Sequence, residues 1–131
     1  MGRIEMRRAE KVADLLREEI TQIVGYELED PRLDGVTVTD VRVSDNLRDA
    51  RVYFMVSGDE REAREALIAL RHAAQYVRKQ LILALDLRHA PELHFVRDTV
   101  EERGARVDEL LSEIGRELEQ RDSEERMKDE E

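Results

Sequence analysis

The chain has 131 residues, 40% of them hydrophobic and 41% charged, with a formal net charge of −10 and no cysteine. That length suits one domain with its own core. The absence of cysteine excludes disulfides and thiolate-held zinc or iron–sulfur sites, and it agrees with a reducing, cytoplasmic setting. No apolar run approaches the ~20 residues of a membrane helix, and MGRIEMRRAEK lacks the apolar stretch of a signal peptide, so neither insertion nor export is expected.

Evenly spread, this charge would argue against nucleic acid, because phosphate binding rests on Lys and Arg. It is not evenly spread. Residues 117–131 hold eight acids against three bases, whereas residues 67–90 carry Arg71, Arg78, Lys79 and Arg88 against Asp86 alone. The tail from Glu119 to Glu131 has too little apolar surface to offset the entropy of ordering it, and it is expected to be disordered. Residues 1–118 then form the folded domain.

From about Arg3 to Tyr26, Val12, Leu15, Leu16, Ile20, Ile23 and Val24 share one face of an amphipathic helix, which Gly25 and Asp30-Pro31 bring to an end. Its opening carries Arg3, Arg7, Arg8 and Lys11. These cations suit either a solvated helix end paired with Glu5 and Glu10 or a patch that contacts phosphate. Val36–Ser44 and Ala50–Val56 are β-rich and separated by turn-forming Ser44-Asp45-Asn46 and Asp49, so an antiparallel pair is predicted. Apolar parity changes between Val38 and Val41, which places a bulge near Thr39–Asp40.

The longest periodic stretch follows. Ala63, Ala66, Leu67, Leu70, Ala73, Ala74, Val77, Leu81, Ala84 and Leu85 recur at threes and fours, and Asp59 with Glu62 forms a capping-box start, so periodicity predicts one long helix to Leu85. Pro91 stops helical geometry, and the run to Val96 reads as a third strand. Thr99 with Glu102 caps a further turn, Gly104 interrupts it, and Val107, Leu110, Leu111, Ile114 and Leu118 mark a last amphipathic helix. The order α-β-β-α-β-α, with helices on one face of a small sheet, argues for an α+β fold.

Reactive constellations are scarce. His72, His89 and His94 make no i, i+4 pair, and no HExxH, G-x-S-x-G, G-x-G-x-x-G or P-loop occurs, so no enzyme, resident metal or cofactor is predicted. What stands out is the net-positive segment. At 100° per residue, Arg71, Gln75, Arg78 and Lys79 fall in one sector beside the apolar stripe, with His72 at its edge, and Arg88 and His89 follow just before Pro91. This is a candidate RNA face. Arginines beside an apolar stripe also lay their stems on the core, which accounts equally well for Arg71 and Arg78 but not for the near-absence of acids.

Asp30-Pro31-Arg32-Leu33, Val38-Thr39-Asp40-Val41, Ser44 with Asn46-Leu47, Ala50-x-Val52-Tyr53, Arg78 with Leu81, and Arg88-x-x-Pro91-Glu92-Leu93-x-Phe95 with Asp98 follow one another in an order and spacing that resembles the bacterial ribosome-binding factor A family. The resemblance covers about residues 5–115. It implies a KH-like domain of type II order, α-β-β-α-α-β, with the central helix kinked where Ala73, Ala74 and Gln75 stand in place of the family's Ala-x-Gly. It also implies a monomer that binds the 30S ribosomal subunit late in maturation, near the 5′-terminal helix of 16S rRNA and the decoding region. Such a factor promotes rRNA processing without catalysis, and the family has a role in cold adaptation. RNA contact is then expected from Arg71, His72, Arg78, Lys79, Arg88 and His89, with Arg3, Arg7, Arg8 and Lys11 as a second set. The alternative is an acidic protein-interaction module that does not touch RNA.

Overall fold

The computed structural model describes the backbone of residues 2–129, and the side chains of residues 8–109, 111, 112, 114–116, 118 and 119. The chain divides into two compact units, Met1–Asp98 and Thr99–Glu131. Unit 1 holds α1 (Gly2–Gln22), which passes into a π-helical turn over Ile23–Glu27, a 3₁₀ turn (Pro31–Leu33), β1 (Val36–Val43), β2 (Asp49–Val56), α2 (Glu60–Leu85) and β3 (Glu92–Arg97). Unit 2 is one helix, α3 (Val100–Asp129). The α+β order read from the sequence is the order found.

The sheet runs β1-β2-β3, with β1 and β2 antiparallel and β2 and β3 parallel. A parallel neighbour needs a long crossover, and α2 supplies it. The bulge is where parity placed it: Val38 pairs with Phe54 and Asp40 with Tyr53, so Thr39 is the extra residue. Without it, Val36 and Val38 would face away from the side that Val41 and Val43 share, since side chains alternate along a strand. With it, all four line the core beside Ala50, Val52 and Phe54 of β2 and Leu93 and Phe95 of β3. The bulge is pinned by Thr39 Oγ1, which donates to Asp98 Oδ2 at 2.5 Å, and by the Val41 amide, which donates to Asp40 Oδ1 at 2.9 Å.

Helix α1 lays Leu16, Ile20, Ile23 and Val24 on this face, and α2 adds Ala69, Leu70, Val77 and Leu81. Two positions expected in the stripes turn outward: Leu15 is 52% exposed, and Ala84 is also exposed. Both lie at the margins of their helical arcs, and the small sheet covers only the middle of each arc. Asp59 caps α2 by accepting the Glu62 amide at 2.8 Å, while the Glu62 carboxylate lies against Gly58. At the other end Asp86 takes a left-handed conformation (φ 52°), and the Leu87 amide reaches back to the Ile82 carbonyl at 3.1 Å, a Schellman-type stop.

Three expectations need correction. Helix α2 runs as a single α-helix through Ala73, Ala74 and Gln75, so the division implied there is not found. Ala and Gln are strong helix formers and α2 contains neither Gly nor Pro, which leaves no local cause for a break. Thr99 caps α3 as expected, its Oγ1 accepting the Glu102 amide at 3.1 Å, yet Gly104 does not interrupt the helix. Nor does the helix stop at Leu118; it continues to Asp129 through a segment rich in Glu, Arg, Gln and Lys, residues that lose little rotamer freedom in a helix.

Candidate nucleic-acid interface

The solvent side of α2 is built by subtraction. Its inner stripe is fixed on the sheet by Ala66, Leu70, Val77 and Leu81, so the residues about half a turn away must face out. Arg71, His72, Gln75 and Lys79 are exposed there, together with Arg64 and, nearer the N-terminus, Arg61. From Ala66 to Leu85 there is no Asp or Glu at all. Among the described residues Arg71 and Lys79 are in no ion pair, whereas Arg61 Nε is 3.2 Å from Glu65 Oε1 and is partly neutralised. Arg88 and His89 are exposed just beyond the Asp86 stop. The described exposed residues of α2 between Ala66 and Leu85 thus include Arg71 and Lys79 and no acid.

Arg78 does not belong to it. Its Nε donates to the Pro91 carbonyl at 3.1 Å and its Nη2 to the Ala90 carbonyl at 3.0 Å, both part-buried, with a longer contact from Nη1 to Gln75 Oε1 at 3.4 Å. The guanidinium fork thus ties the middle of α2 to the segment that leads into β3. This is the core-flanking reading of Arg78, with hydrogen bonds added.

Arg8 and Lys11 are exposed on α1, and no hydrogen bond or ion pair among the described residues joins them to the α2 set. Arg3 and Arg7 lie outside the described side chains.

Next to the α2 face sits the Asp30-Pro31-Arg32-Leu33 turn. Asp30 caps it by accepting the Arg32 amide at 3.0 Å, and Arg32 folds its guanidinium back on the same carboxylate, Nη2 to Oδ2 at 2.7 Å. The Arg32 side-chain hydrogen bonds hold the Asp30 carboxyl below its ordinary value, helped by the Arg32 amide and, weakly, by the nearby His72. A comparable exposed pair, Glu60 Oε2 and Arg97 Nη1 at 2.6 Å, links the first turn of α2 to the end of β3 and lowers Glu60 in the same way. Arg32 and Arg97 are therefore engaged in the fold, which composition alone does not reveal.

For metal ligation the described residues offer one group, Asp49, Glu92 and His94, all exposed. His94 Nε2 lies 2.9 Å from Asp49 Oδ1, so a hydrogen bond across the β2–β3 pair accounts for their proximity. No described helix is long and apolar enough to cross a membrane.

A family model described as "Ribosome-binding factor A" matches residues 8–111. The chain belongs to the ribosome-binding factor A family. It is 43% identical over 117 residues to a ribosome-binding factor A of Desulfitobacterium hafniense, covering 89% of this chain and 94% of that one. A relative from Solibacter usitatus is 43% identical over 108 residues, covering 82% and 88% of the two chains. The crystal structure of ribosome-binding factor A from Thermus thermophilus superposes with a TM-score of 0.62 at 28% identity, over 68% of this chain and 93% of that one. The α+β, KH-like fold expected from the sequence is thus the fold of the family. One residue of the α2 face escaped the sequence reading, Tyr76, which stands among the cations. Its presence in the acid-free window was the available signal.

Proposed function

We propose that this chain is a non-catalytic assembly factor that binds the free 30S subunit late in its maturation and promotes 16S rRNA processing. The observation that carries the reading is the exposed, acid-free face of α2, with Arg71 and Lys79 unpaired among the described residues, in a chain of a family named for binding ribosomes. The relatives' name supports ribosome binding; the subunit, the timing and the contact near the 5′-terminal helix and decoding region are our inference. Such a factor works by differential binding, favouring one rRNA arrangement over another by phosphate contact and shape. It needs no nucleophile or general base. Rearrangements of RNA slow as temperature falls, so the requirement for such a factor is expected to sharpen in the cold.

Charge reversal tests this. Arg71→Glu with Lys79→Glu removes up to two phosphate contacts, so subunit affinity falls and the slope of log affinity against log salt drops by about 1–2. Melting stays near that of the parent, because both side chains are exposed. Unchanged binding across the salt series would place the RNA face elsewhere. A parent affinity that ignores salt would instead favour the protein-interaction module, since apolar burial is not screened.

A further inference from the structure

The chain has only three tyrosines and two phenylalanines. Tyr53, Phe54 and Phe95 are buried, which leaves Tyr26, 80% exposed, and Tyr76, 45% exposed, as the aromatic rings that solvent reaches. Their surroundings differ. Tyr26 stands in the turn after α1 beside Glu27 and Glu29, a setting that repels phosphate. Tyr76 stands on α2 one turn from His72 and from Lys79, rotated from them by about 40° and 60° around the helix axis, in the stretch without acids. Leu83, 68% exposed, continues the same stripe two turns on.

An aromatic ring beside Lys79 and His72 on a stretch of helix without acids meets the two needs of unpaired RNA: a platform for a base and polar, positively charged partners for the phosphates on either side of it. A paired base inside a helix offers no free face, so the ring selects single-stranded, bulged or splayed nucleotides, whereas Arg71 and Lys79 act on any backbone. Resting on the proposed rRNA-binding reading, we infer that Tyr76 is a stacking platform for an unpaired base of the small-subunit rRNA, with Lys79 and His72 beside it on the backbone. Charge complementarity chooses the occupant. A protein partner would gain little from a ring with His72 and Lys79 beside it and no acid on the same stretch of helix unless it were itself strongly acidic.

The test uses the full chain and purified small subunits. Tyr76→Phe keeps the ring and binds within about twofold of the parent; Tyr76→Leu keeps apolar bulk without a π-face and loses about tenfold, within the range for one stacked base. The salt slope of Tyr76→Leu stays at the parent value, because stacking releases no counterions. Tyr26→Leu leaves affinity unchanged. Because the chain has no tryptophan, Tyr76→Trp introduces a single indole, whose fluorescence is quenched by subunits and by single-stranded oligoadenylate but not by duplex RNA of equal length. Equal binding by Tyr76→Leu and Tyr76→Phe would overturn stacking and leave a plain apolar contact, as would an unquenched indole in a bound complex. If Arg71→Glu with Lys79→Glu weakens binding while Tyr76→Leu does not, the stacking inference alone falls. If the charge reversal also has no effect, the rRNA-binding reading of this face falls with it.

Discussion

Removing the Arg78 guanidinium is expected to cost fold stability, not subunit affinity. The two short hydrogen bonds from Nε and Nη2 go to the carbonyls of Pro91 and Ala90, whose residues are both buried. Hydrogen bonds to a charged group contribute about 1.5–3 kcal/mol each when well buried. Arg78 is only half-buried, so water partly replaces it after truncation, and about 2 kcal/mol for the pair is the reasonable sum. For a unit of this size, ~1 kcal/mol shifts the melting temperature by about 4–8 °C, so Arg78→Ala should melt roughly 10 °C lower. The assay is urea unfolding of Arg78→Ala, Arg78→Met and Lys79→Ala beside the parent. Arg78→Met keeps much of the aliphatic stem and isolates the hydrogen-bond loss. Lys79→Ala, fully outward, should stay within about 0.5 kcal/mol of the parent. A midpoint for Arg78→Ala no lower than that for Lys79→Ala, at unchanged m-value, would refute the structural role and return Arg78 to the proposed RNA face.

Removing Glu119–Glu131 should leave the melting temperature within a few degrees of the parent, because residues 1–98 form a compact unit of their own; helical circular dichroism should fall, since α3 reaches Asp129. A larger loss of stability would show that the acidic end supports the fold. Acid should weaken the fold through Glu60: its folded value is lowered by Arg97, so its contribution is present above the usual 4.5 and is lost as pH falls through the lowered value. The stability gap between the parent and Glu60→Gln should therefore close on acidification, and a gap that stays constant from neutral pH to pH ~3 would remove Arg97 as its cause.

Local regularities in the sequence determined the elements. Threes and fours place α1 and α2, the parity change from Val38 to Val41 requires the bulge at Thr39, and Asp59 and Thr99 mark helix starts through their own side chains. Each of these is settled by contacts within a few residues, or by alternation that any buried strand must keep. The acid-free window on α2 was legible for the same reason, since charge is read directly from residue type. Periodicity gives the angle of a side chain around its helix but not what lies opposite it. Arg71 and Arg78 therefore looked alike from sequence. Only the packing of α2 beside β3 brought the Ala90 and Pro91 carbonyls within reach of Arg78 and left Arg71 in solvent. The exposure of Leu15 and the parallel pairing of β2 with β3 were likewise decided by tertiary structure. Each depends on how much of a helix the small sheet covers and on which strand the crossover meets, and those contacts join residues far apart in the chain.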